Sequence, residues 1–140
     1  MGNMEGLFVM GKRSQKRTPH PPREGRLSID LEVIRSVVNQ DYELLENLVD
    51  GFRQSSRVLV EQMQEALHNQ EAEILARAAH TLKGAAAYFG AHLITDRAME
   101  LEALAIDQNF EKAHKLFAEM KSAVSRALEE LNHLLEQKHL

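Results

Sequence analysis

From about Leu27 onward, apolar residues recur every three or four positions, the period of helices that bury one face. A short first helix is predicted from Ser28 or Asp30, either of which could N-cap it, through about Val38, with Leu31, Ile34, Val37 and Val38 apolar. Asn39-Gln40-Asp41 interrupts it. A long second helix follows from about Tyr42 to Leu67, its stripe at Leu45, Leu48, Phe52, Leu59, Met63 and Ala66, weakened in the middle by Ser55 and Ser56. After a turn at His68-Asn69-Gln70, the third helix runs from about Glu71 to Phe89, and Gly90 should stop it in the left-handed conformation. The fourth, about His92 to Ile106, keeps Ile94, Ala98, Leu101 and Ala105 on one side. Beyond Asp107-Gln108-Asn109, the last runs from about Phe110 to Leu135 along Ala113, Phe117, Met120, Val124, Ala127, Leu131 and Leu134. Four long amphipathic helices joined by short turns predict an all-α fold, an antiparallel up-down four-helix bundle with a short additional N-terminal helix capping one end.

The third helix carries the feature that the rest supports. Wound at about 100° per residue, Leu75, Leu82 and Phe89 fall within about 40° of one another, with Ala78 beside them, so this stripe faces the core. His80 lies about 200° from Leu82 and points to solvent. Its neighbours are unusual for a solvated face: Ala76, Gly84 and Ala87 share its side, and Lys83 follows one turn on. A glycine within a helix costs roughly 1 kcal/mol relative to alanine. Gly84 therefore reads as clearance for something bulky approaching the imidazole. An exposed nucleophile, a bare approach and an adjacent positive charge stand together.

His80-Thr81-Leu82-Lys83-Gly84-Ala85-Ala86, followed by Phe89-Gly90-Ala91, resembles the signature of histidine-containing phosphotransfer (HPt) domains, the helical phosphocarriers of two-component phosphorelays. The resemblance extends over roughly Leu27 to Leu135. It implies that His80 accepts a phosphoryl group from the aspartyl phosphate of a receiver domain and passes it to another receiver, that of a response regulator or hybrid sensor kinase. Lys83 would stabilise the phosphoryl group and Gly84 would give it access. In members similar to chemotaxis-kinase phosphotransfer domains, a Glu or Gln on the next helix accepts the histidine Nδ1–H. Here Glu102 is the candidate, lying about 40° from the core residue Ala98 on the fourth helix. Ala76, Arg77, Ala87 and Tyr88 are candidate docking positions. The resemblance implies a phosphocarrier with no kinase activity, no ATP site and no cofactor of its own, Mg²⁺ being supplied by the receiver. Ala85-Ala86-Ala87 departs mildly from the family pattern, in which Ser and Gly are frequent among those positions.

Composition narrows the remaining classes. A chain of 140 residues with 44% hydrophobic but 5% aromatic residues, and no Trp, suits one Leu/Ala-rich helical domain. The absence of cysteine removes disulfides, thiolate zinc sites and cysteine nucleophiles, so a cytoplasmic location is expected. Leu7-Phe8-Val9-Met10 is too short for a signal-peptide core, and no apolar run is long enough to span a membrane. Residues 1–26 differ from the rest: Lys12, Arg13, Lys16, Arg17, Arg23 and Arg26 against Glu5 and Glu24 give +4, and all three prolines fall there. The chain's net −4 leaves −8 on residues 27–140. The basic segment reads as a disordered tail or linker, and the acidic bundle as a monomeric protein-binding module with no nucleic-acid or membrane partner.

Two alternatives stand beside this reading. Glu-x-x-His occurs at Glu65/His68, Glu111/His114, Glu130/His133 and Glu136/His139, the motif of di-iron helical bundles. Glu65 lies about 200° from Met63 and so points outward, and no two of these motifs are placed to meet in the core. No metal site is expected. The other alternative keeps the fold but makes it a phosphorylation-independent helical adaptor for receiver or kinase domains.

Overall fold

The computed structural model describes residues 26–138. They form five helices and no strand: α1 (Leu31–Val38), α2 (Tyr42–Asn69), α3 (Ala72–Ala87), α4 (His92–Ile106) and α5 (Phe110–Gln137). The basic segment read as a tail lies outside the described residues except for Arg26, as does His139. Helix α2 packs on α3, α3 on α4, α4 on α5 and α5 back on α2, which closes the antiparallel four-helix bundle. Leu45, Met63, Leu75, Leu82, Ile94, Leu101, Met120 and Leu131 fill its interior. Helices α3 and α4 are the most extensively packed pair. Buried alanines explain why: Ala79 and Ala86 on α3 and Ala98 and Ala105 on α4 let the two axes approach closely.

Each turn of the bundle closes in the same way. A residue in the left-handed region ends the helix, and the next N–H reaches back to a carbonyl five residues earlier. Gln70 (φ 56°) precedes Glu71, whose N–H donates to Ala66 O at 2.8 Å, and Gln108 (φ 57°) precedes Asn109, whose N–H donates to Leu104 O at 2.9 Å. At the end of α3, Gly90 (φ 57°) precedes Ala91, whose N–H donates to Ala86 O at 3.3 Å. Glutamine serves at the other two turns, but Gly90 has a second reason to be glycine. A Cβ there would stand 2.4 Å from Asp30 Cβ and 3.1 Å from Val33 Cγ2. The N-terminus of α1 is pressed onto this turn, with Asp30 N–H donating to Phe89 O at 2.9 Å.

Asp30, rather than Ser28, caps α1, accepting from Glu32 N at 2.9 Å. Ser28 is buried for another purpose. Its N–H and its hydroxyl both donate to Glu130 Oε1 at 2.8 Å, and Ile29 N–H joins them at 3.2 Å. Arg126 Nε holds the other carboxylate oxygen at 2.9 Å while its guanidinium also donates to Arg26 O. The lead-in to α1 is thus latched to α5. With Ile29, Ile34 and Val38 buried and the Phe52 and Phe89 rings 5.2 Å apart, α1 seals the α3–α4 end of the bundle.

One expectation is corrected. Ser56 does not weaken the α2 stripe: it is buried in the seam between Phe52 and Leu59, its hydroxyl donating to Arg53 O at 3.3 Å. Ser55 is exposed, and Leu48 sits at the edge while Val49 takes the core position. Among the described residues no helix is long and apolar enough to cross a membrane.

Candidate functional site

Burial of Leu75, Ala78, Ala79, Leu82 and Ala86 fixes the rotation of α3 and turns His80 outward. Its side chain is 63% exposed. The ring does not stand alone: Nδ1 lies 3.4 Å from Glu102 Oε1 and 3.3 Å from Oε2, at the long end of hydrogen-bonding distance. Glu102 comes from α4 and is 25% exposed, so it forms part of the floor beside the ring. With the proton on Nδ1, the ring donates to this carboxylate and Nε2 carries the free lone pair.

Lys83 is brought to the same carboxylate, its Nζ 3.7 Å from Glu102 Oε1. Glu102 is therefore shared between an imidazole and an ammonium. The sequence suggested the lysine as a companion of His80 and Glu102 as a separate candidate; their mutual pairing was not visible in either motif. Gly84 is exposed, and a Cβ added there would meet nothing within 4 Å. Nothing inside the domain requires this glycine.

The docking candidates divide. Ala76 is half-buried and Ala87 exposed on the flank of α3 shared with His80. Arg77 instead lines the groove between α2 and α3, with Ile74, Leu59 and Gln62, while exposed Tyr88 stands in the turn after α3. Thr81 donates its hydroxyl to Arg77 O at 3.0 Å, an ordinary bond within the helix. Of the Glu-x-x-His motifs, Glu65, His68, Glu111, His114, His133 and Glu136 are exposed, and Glu130 is committed to Ser28 and Arg126. Among the described residues, no three His, Cys, Asp or Glu side chains gather as metal ligands.

Two features escaped the sequence. The Ser28–Glu130–Arg126 latch joins residues about a hundred positions apart, beyond the reach of any local pattern. Met99 and Ile106, both exposed on α4 near Glu102, were legible only as apolar residues off the core stripe.

Comparison with known proteins bears on this arrangement. The family model described as Hpt domain matches residues 47–138, which include His80, Lys83, Gly84 and Glu102. Among solved structures, histidine-containing phosphotransfer protein B (HptB) from Pseudomonas aeruginosa PAO1 has a similar fold, with a TM-score of 0.74 at 23% identity over 79% of this chain and 96% of that one. No curated protein matches the chain.

Proposed function

The chain belongs to the Hpt domain family, and on that premise we propose that it is a phosphorelay intermediate whose His80 takes a phosphoryl group from the aspartyl phosphate of one receiver domain and delivers it to another. One observation carries this reading: a histidine 63% exposed, whose Nδ1 faces a carboxylate while the other side of the ring is open. A nucleophile for phosphorus needs an accessible lone pair and a fixed ring, and this geometry supports both.

In the transfer, Nε2 of the neutral ring attacks phosphorus in line with the departing aspartyl oxygen. The N–P bond forms, the acyl phosphate O–P bond breaks, and the receiver's carboxylate leaves with the bond's electron pair. The proton on Nδ1 stays where it is, so no base is needed; Glu102 holds that proton and compensates the positive charge growing on the ring. Lys83 swings from Glu102 toward the phosphoryl oxygens as their charge arrives. The receiver would supply Mg²⁺ and with it charge neutralisation for the same oxygens, in keeping with the dominance of positioning and charge stabilisation in such transfers. Delivery to the second receiver is the reverse of these steps.

The test is label transfer from radiolabelled phospho-receiver domains to the chain and to its His80→Gln variant. Product that is lost in acid, survives alkali and is absent from the variant supports the reading. Label on the variant as well would refute His80 as the acceptor.

A further inference from the structure

The α2–α5 seam lies diagonally across the bundle from the α3–α4 face that carries His80 and Glu102. It is the most loosely packed of the four adjacent helix pairs. Where α3 and α4 close on alanines, Val60 on α2 and Val124 and Leu128 on α5 line an open groove of about 440 Å³. The walls of this groove are basic. Arg53 and Arg57 stand one turn apart on α2, Lys121 faces them from α5, and Glu61 is the acid beside them. Arg53 is held by Asp50 at 2.7 Å and by Asn132. Among the described residues, Arg57 has no hydrogen-bond or ion-pair partner and Lys121 no carboxylate, its ammonium lying over the Phe117 ring at 5.6 Å from the centroid. The Arg53–Asn132 contact sets the antiparallel register. Carried along the pair, it brings Arg57 level with Leu128, and exposed His68 level with Phe117, one turn from exposed His114. From Arg53 to His68 the seam runs about 22 Å. Residues 27–140 carry a net −8, so this strip runs against the charge of the whole domain.

We propose that the α2–α5 seam docks an acidic amphipathic helix of another protein, about four turns long, and so holds the domain in an assembly while the His80 face stays open. Charge and width together identify the occupant. Arg57 and Lys121 lie toward opposite ends of an apolar floor, so they select a segment with carboxylates on both sides of an apolar stripe. A groove between two packed helices accepts the side-chain ridge of a third, and 22 Å of groove matches about four turns of it. The chain's own residues 1–26, with a net +4, carry the wrong sign for these walls. A broad polyanion such as duplex nucleic acid or an anionic membrane would also meet exposed Glu65, Glu111 and Glu129 on the outer faces of the same helices. A single helix fits between them.

The experiment titrates the full chain into a fluorescent synthetic helix of about four turns, with a leucine stripe flanked by Glu, and into a counterpart with Lys in place of every Glu. Binding is read by anisotropy and mapped by NMR on the methyl groups of Val60, Val124 and Leu128 and on the His80 ring. The Glu peptide should bind, more weakly as salt is added, and the Lys peptide should not. The seam methyls should shift while the His80 ring signals hold. Arg57→Glu and Lys121→Glu should each raise the dissociation constant about tenfold or more. Lys115→Glu, the same charge change on an exposed part of α5 outside the groove, should alter it about twofold at most. All three variants should keep the wild-type thermal midpoint. The inference is overturned if the Glu peptide fails to bind or binds no better than the Lys peptide, if the shifts map to α3 and α4, or if Arg57→Glu and Lys115→Glu weaken binding alike. A chain dimer that Arg57→Glu dissolves assigns the seam to self-association and also overturns it. None of these outcomes involves phosphoryl transfer, so the reading of His80 stands or falls separately.

Discussion

Gly84→Ala should make the protein more stable and less active at once. The added methyl meets nothing within 4 Å, so it introduces no clash within the domain. Replacing glycine by alanine inside a helix removes up to about 1 kcal/mol of conformational cost. For a domain of this size that corresponds to a rise of about 3–6 °C in the thermal midpoint. The same methyl stands on the outer face of α3, one turn from His80, where the receiver of the proposed transfer would come into van der Waals contact. Forcing a methyl into a close-packed contact costs about 1–3 kcal/mol, which would slow sub-saturating transfer about 5- to 150-fold. Thermal unfolding followed by circular dichroism reads the first effect, and single-turnover label transfer reads the second. A lowered midpoint would refute the open-space argument. A raised midpoint with transfer unchanged would refute the clearance argument, leaving Gly84 without a role in access.

Other substitutions separate the remaining roles. Gly90→Ala should destabilise by about 2–4 kcal/mol in urea unfolding, since it combines a left-handed backbone with a clash against α1. Glu130→Ala leaves the Ser28 and Ile29 donors without their acceptor and should cost about 1–3 kcal/mol. Hydrogen exchange should then quicken in α1 while transfer to His80 is unaffected. Glu102→Ala should mix the imidazole tautomers, as read by nitrogen NMR, and slow transfer, whereas Glu102→Gln, which keeps an acceptor for Nδ1, should preserve the tautomer; a Glu102→Ala variant unchanged in both measures would reduce Glu102 to a surface charge. Lys83→Ala should shorten the phosphohistidine lifetime about fivefold, the effect of about 1 kcal/mol from an exposed charge pair, and the difference should shrink as salt is added.

The bundle was legible because its information is local. Helical periodicity, turns of a few residues and Gly90 each declare themselves within a dozen positions, and they suffice to order the helices. His80 was legible for the same reason, as an exposed residue set among alanines and a glycine. Glu102 could be suggested from its rotation on α4, but its distance from the ring depends on how α3 and α4 slide past each other, which their buried alanines set. Ser56 misled because a serine in a stripe reads as a gap; its hydroxyl is satisfied by Arg53 of its own helix, so it needs no distant partner and leaves no outward sign. Ser28 and Glu130 went unread because their bond crosses 102 positions of sequence.

With His80 as the phosphoacceptor, as proposed, stability and chemistry occupy different parts of this molecule, and the separation follows from what that transfer would require. Among the described residues, the buried polar side chains Ser28 and Ser56 are both satisfied by fixed partners away from His80. His80, Lys83 and Glu102, by contrast, all retain solvent access, and the contacts among them lie between 3.3 and 3.7 Å. Loose pairing suits a site that must change its charge. A phosphoryl group brings close to two negative charges, so an ammonium locked onto Glu102 by a short, buried bond would be slow to turn toward it. The Nδ1 proton has the opposite requirement. If it left during the forward transfer, it would have to be recovered before the ring could depart from phosphorus on the way to the second receiver. A carboxylate anchored on a separate helix and facing Nδ1 serves both directions without rearrangement, while Lys83, on the flexible stem, is the part free to move.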